Sequence, residues 1–100
     1  PAIALYYYLY KLTLGEDIYD KLKIQIFDNT HLFPYDEIRD IYLLSINYCI
    51  GKMNTGQENY IREAFEMYRL GFENKVLIEN NSISRWTFHN VVIIAVRLNE

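Results

Sequence analysis

Hydrophobic positions recur along this chain at helical rather than alternating spacing, and the clearest stretch is Asp36 to Phe72. Ile61, Ala64, Phe65, Tyr68 and Phe72 fall at i, i+3, i+4, i+7 and i+11, which is one stripe of a 3.6-residue helix. Asn59, Arg62, Glu63, Glu66 and Arg69 take the opposite face, and Glu58–Arg62–Glu66 at four-residue spacing adds a few tenths of a kcal/mol per pair. The preceding segment places Ile38, Ile41, Tyr42, Ser45 and Cys49 on one stripe, with Leu43, Leu44, Ile46 and Ile50 spread around the rest. A helix apolar nearly all round must be covered on more than one side, which is the logic of stacked helical pairs. Asn54-Thr55-Gly56 is the break between the two helices, and Gly71 lies near the end of the second.

The flanks follow the same period. Ala4, Leu5, Tyr8, Leu9 and Leu12 predict a helix over 2–14, broken at Gly15. Glu16-Asp17 open a second helix at the favourable end of its dipole. It runs to about Asp28 and buries either Ile18, Leu22 and Ile26 or a neighbouring register using Tyr19 and Phe27. Asp28 to His31 is a turn, Phe33-Pro34 keeps the chain extended, and a third helix starts near Asp36. Past Glu73, Val76-Leu77-Ile78 either prolongs the fourth helix or packs as an extended connector; the helix is expected to end around Glu73–Leu77, with a loop following through Asn80-Asn81-Ser82. Ser84 is the expected N-cap of a last helix over Arg85 to Leu98. The β-branched Val91 to Ile94 favours a strand by propensity, but a lone strand has no partner, so helix is expected there too.

A weak internal repeat accompanies these elements. A shift of about 41 positions pairs Leu5 with Ile46, Tyr7 with Tyr48, Leu9 with Ile50, Leu12 with Met53, Tyr19 with Tyr60, Ile24 with Phe65 and Phe27 with Tyr68. The expected architecture is all-α: one domain over 1–100, in units of about 2–29 and 36–73 plus an incomplete third over 84–100. The start at Pro1 instead of Met suggests a piece of a longer chain or a processed product.

Composition narrows the function classes. The chain is 51% hydrophobic and 16% aromatic, with ten Tyr against one Trp. A formal charge of −3 and dispersed basic residues argue against a broad nucleic-acid footprint, which needs a basic face. A single cysteine, Cys49, excludes a disulfide within the chain and fits a reducing, cytoplasmic compartment. No apolar run is long enough to span a bilayer, and the N-terminal segment lacks the basic start and small-residue cleavage site of a signal peptide. Asn80-Asn81-Ser82 matches a glycosylation triplet, which a cytoplasmic chain leaves unused.

No catalytic or metal-binding constellation is visible, so no enzyme activity and no cofactor are expected. His31 and His89 lie far apart, and Cys49 has no ligand partner at a recognised spacing. Gly51-Lys52 lacks the upstream glycine of a phosphate loop, that position being Ile46. The acids Glu16-Asp17 and Asp36-Glu37 are explained by helix starts. The most unusual local feature is Tyr6-Tyr7-Tyr8-Leu9-Tyr10, whose aromatics span the helix circumference. They either line a groove for a peptide or meet a preceding helical unit.

From Glu63 to Glu100 the chain resembles helical-hairpin repeats of the tetratricopeptide and pentatricopeptide type. Glu63-Ala64-Phe65-Glu66-Met67-Tyr68 is similar to the closing helix of such a unit, a small residue preceding an aromatic by four positions. Thr87-Phe88-His89-Asn90-Val91-Val92, with Arg97-Leu98-Asn99-Glu100, is similar to an opening pentatricopeptide helix. The period of about 41 exceeds the mid-thirties of those families, so the resemblance is to a divergent relative, in a larger bacterial helical-repeat chain. It implies a right-handed α–α superhelix of about five antiparallel helices. With the tyrosine excess, it further implies a scaffold for a protein or peptide partner, contacted through Tyr6, Tyr7, Tyr10 and Tyr48. Asn90 falls where the pentatricopeptide family presents a polar residue to an RNA base, which makes single-stranded RNA the alternative ligand; the acidic balance weighs against it. Open repeat ends are expected to drive self-association.

Overall fold

The computed structural model describes residues 2–15, 18–78 and 83–99, and among these the regular structure is helical. Five α-helices occur in order: α1 (Ala2–Thr13), α2 (Tyr19–Asn29), α3 (Tyr35–Asn54), α4 (Asn59–Glu73) and α5 (Arg85–Leu98), with a short 3-10 turn at Thr30–Leu32. The chain divides into two compact units, Pro1–Ile38 and Arg39–Glu100, the division falling inside α3. The predicted start of the second helix at Glu16-Asp17 and the loop and glycosylation triplet at Asn80-Asn81-Ser82 lie outside the described residues.

In the first unit α1 and α2 pack as neighbours. Leu5 and Leu12 are buried from α1, and Tyr19, Leu22 and Ile26 from α2. The second helix thus settles between the two expected registers, with Ile18 and Phe27 half-buried at its margins. Its end differs from the expected turn. Asn29 is still helical and buried, its amide donating to the Gln25 carbonyl at 2.8 Å, and the Thr30 hydroxyl donates to the Ile26 carbonyl at 2.6 Å. These local bonds prolong the helix into the 3-10 turn before Phe33 becomes extended, as a residue before proline must.

In the second unit the expected α3 stripe of Ile41, Tyr42, Ser45 and Cys49 is buried, together with Ile46 and Met53. Ser45 satisfies its hydroxyl on the Ile41 carbonyl at 3.0 Å. The fully buried residues of the helix span an arc of about 140°, with Leu43 and Ile50 half-buried beyond it and Leu44 42% exposed. The buried face of α4 is rotated about 60° from the predicted stripe: Tyr60, Ile61, Ala64, Met67, Tyr68 and Gly71 are inside, whereas Phe65 and Phe72 are half-buried. A glycine has no weight in a hydrophobic-periodicity count, yet Gly71 lies at the closest approach, beside the side chains of Leu77 and Tyr42. On the outer face of α4, the ion pairs centre on Arg69, 2.6 Å from Glu66 and 2.8 Å from Glu73.

Two helices end in the same way with different residues. After α3, Gly56 takes a positive φ of 95° while its N–H meets the Met53 carbonyl and the Gln57 N–H meets the Lys52 carbonyl. After α4, Lys75 takes the same role at φ 58°, its N–H on the Phe72 carbonyl and the Val76 N–H on the Gly71 carbonyl at 2.8 Å. Both are Schellman ends, in which a left-handed residue lets two N–H groups turn back onto orphan carbonyls. The second carries Val76 and Leu77 inward, which decides for a packed connector over a longer helix. At α5 the Ser84 hydroxyl oxygen accepts from the Thr87 N–H at 3.1 Å, the expected N-cap. Val91 to Ile94 are helical despite their β-branching, and no strand occurs among the described residues.

Some of the positions about 41 apart share environments and others do not. Leu5 and Ile46, Leu12 and Met53, Tyr19 and Tyr60, and Ile26 and Met67 are all buried, and Gly15 and Gly56 both turn with positive φ after their helices. By contrast, Tyr7 is exposed and Tyr48 half-buried, Ile24 is exposed and Phe65 half-buried, and Phe27 is half-buried where Tyr68 is buried.

Candidate interaction surface

Helix α1 has two apolar sides. Leu5 and Leu12 point inward, and Ile3, Tyr6, Tyr7 and Tyr10 remain exposed at i, i+3, i+4 and i+7, with Tyr10 at 62% and Leu14 exposed just past the helix end. That spacing gathers them into an arc of about 100° on the outside of the helix. Most of this face is aromatic, and its geometry is held locally. Tyr6 meets Phe33 edge-on with ring centroids 6.0 Å apart, Tyr7 meets Tyr8 at 5.7 Å, and the Lys11 ammonium lies 5.5 Å from the centre of the Tyr7 ring. No acidic residue occurs in α1.

The other sequence candidates belong to the second unit. Tyr48 is half-buried, its ring edge-to-face with Tyr60 at 5.8 Å and the Lys52 ammonium 5.5 Å from its centre, so its apolar area joins α3 to α4. Asn90 is also half-buried, and its amide donates to the Tyr68 hydroxyl at 3.3 Å, joining α5 to α4. Burial pushes the Tyr68 phenol above its ordinary range, and the Asn90 donor opposes that by favouring the phenolate. Tyr6, Tyr7 and Tyr10 therefore form one surface, while Tyr48 and Asn90 are each engaged in helix packing.

Sequence periodicity missed a second surface. Outward from α5 stand Trp86, Phe88, Val92, Ile93 and Val96, with Trp86 at 72% exposure and stacked on His89 at 6.2 Å. Only Thr87 and Ile94 of this helix are fully buried. The signal was present in the absence of any acid from Ile83 to Asn99, since an ordinary surface helix carries charges of both signs. Between α4 and α5 a cleft of about 160 Å³ is lined by Phe65, Tyr68, Arg69, Phe72, Val91 and Ile94.

Of the residues weighed for chemistry, Cys49 is fully buried within α3, and His31 and His89 are both exposed. Among the described residues no group of three or more His, Cys, Asp or Glu could hold a metal ion, and no helix is long and apolar enough to cross a membrane. No family model matches the chain, and neither a curated protein nor a solved structure matches it.

Proposed function

We propose that this chain is a non-enzymatic helical-repeat scaffold, its hairpins stacked as a right-handed α–α superhelix, that binds a protein or peptide partner in the cytoplasm. The carrying observation is the outer face of α1, where Ile3, Tyr6, Tyr7 and Tyr10 form an ordered aromatic ridge. Tyrosine suits such a role because it presents large apolar area with few rotatable bonds and a polar tip. What supports the repeat is the four buried pairs and the two turn glycines about 41 positions apart.

The test is the triple substitution Tyr6→Ser, Tyr7→Ser and Tyr10→Ser. A partner identified by capture and then purified should bind the unaltered chain at least tenfold more tightly than the triple variant, with the unfolding midpoint of the variant unchanged. Equal affinity would remove the ridge from the interface. Tight binding of a random single-stranded RNA pool, weakening steeply with salt, would replace the scaffold reading by an RNA-binding one.

A further inference from the structure

The exposed side of α5 has the internal spacing of a helix-pairing seam. Trp86, His89, Ile93 and Val96 fall at i, i+3, i+7 and i+10, which are successive a and d positions of a heptad. All four are exposed, and they face away from Thr87 and Ile94, the two residues of α5 that are fully buried. In the same register Arg85 and Val92 occupy the g positions and Asn90 and Arg97 the e positions, so the charged flanks are Arg85 and Arg97, on opposite sides of the seam and about 18 Å apart along the axis. Flanking e and g charges set which helix pairs with such a seam. Here both are cationic, and nothing from Ile83 to Asn99 supplies a negative charge.

We propose that the Trp86–His89–Ile93–Val96 face of α5 docks an amphipathic α-helix of a partner protein whose seam is flanked by carboxylates. This rests on the scaffold reading and names the class of partner for a second face. Two alternative occupants fit less well. A second copy of α5 brings two more arginines and no acid to the flanks. A bilayer surface makes no use of the heptad spacing. The helix is about 21 Å long, so the contact is small and the complex a transient one.

Trp86 is the only tryptophan of the chain and stands in the seam, so its emission reports occupancy directly. The experiment titrates the full chain with two synthetic helical peptides that share a leucine seam, one with Glu and one with Lys at every e and g position. The Glu peptide is expected to move Trp86 emission to shorter wavelength and to bind at least tenfold more tightly than the Lys peptide. The double variant R85E/R97E should invert that order, and the peptide comparison on the unaltered chain stands without it. Equal binding of the two peptides overturns the proposal. So does a shift in Trp86 emission that follows chain concentration alone, which would assign the face to a second copy, or one that follows only anionic vesicles. Because the ridge on α1 is untouched, loss of partner binding in the tyrosine triple variant stays a separate result.

Discussion

Gly71→Ala probes the tightest approach in the second unit. A Cβ at this position would lie 2.5 Å from Leu77 Cδ1, 2.7 Å from Leu77 Cγ and 3.4 Å from Tyr42 Cδ2. Carbon atoms pack at about 3.5–4.0 Å, so the branched end of Leu77 must retreat by about 1 Å. It has little freedom to do so, because Leu77 is buried and its N–H is held 3.3 Å from the Gly71 carbonyl. Overpacking of this kind costs about 1–3 kcal/mol. Alanine in place of glycine in a helix recovers at most about 1 kcal/mol, and less near the last turn. The net expectation is destabilisation by about 1–2 kcal/mol. Leu77→Ala removes the obstructing atoms at its own cost of about 2–4 kcal/mol. In that background Gly71→Ala should change sign and stabilise by about 0.5–1 kcal/mol. The assay is urea unfolding of the four chains of the double-mutant cycle, followed by Trp86 fluorescence, with midpoints compared at constant slope. Stabilisation by Gly71→Ala in the unaltered chain, or an equal effect in both backgrounds, would refute the packing argument.

Three further outcomes follow from the same geometry. Lys75→Gly relieves a left-handed backbone at a residue with a side chain and should raise stability by about 1 kcal/mol, whereas Gly56→Ala at the equivalent turn should lower it by about as much, both read from thermal midpoints. Ser84→Ala removes the acceptor for the Thr87 N–H and should cost about 1 kcal/mol; Ser84→Asp should retain most of the stability, and hydrogen exchange in the first turn of α5 should quicken only in the alanine variant. The Tyr68 phenol is raised in the folded chain, so the unfolded chain loses this proton first as pH climbs past about 10. Its contribution is complete below that pH and is lost as pH rises toward the folded value; denaturation midpoints against alkaline pH should fall less steeply in Tyr68→Phe.

Helix existence, order and several boundaries were legible in the sequence because they depend on local terms. Apolar residues at helical spacing marked the first four helices, Ser84 could be named as the cap of the fifth because its hydroxyl serves the next turn of the same helix, and Gly56 could be named as a break because a residue tolerant of positive φ readily ends a helix that way. Lys75 performs the same turn without the signature residue, so the sequence bounds the end of α4 only to about Glu73–Leu77, and the inward packing of Val76 and Leu77 is a tertiary feature. Which face of α4 is buried was a tertiary decision. It turned on Gly71, whose contribution is an absent side chain that lets Leu77 and Tyr42 close in.

The functional surfaces divide in the same way. Sequence alone marked the tyrosine cluster as too wide to bury, and tertiary structure selected Tyr6, Tyr7 and Tyr10 for the exposed side and left Tyr8 half-buried. It also spent Tyr48 and Asn90 on packing against Tyr60 and Tyr68, partners distant enough in sequence that no local rule joins them. The apolar run of α5 could be assigned to a helix from the sequence, but hydrophobic periodicity counts only how many residues favour burial. How many of them find cover depends on the neighbours a helix has, and for Trp86, Ile93 and Val96 only the fold could answer that.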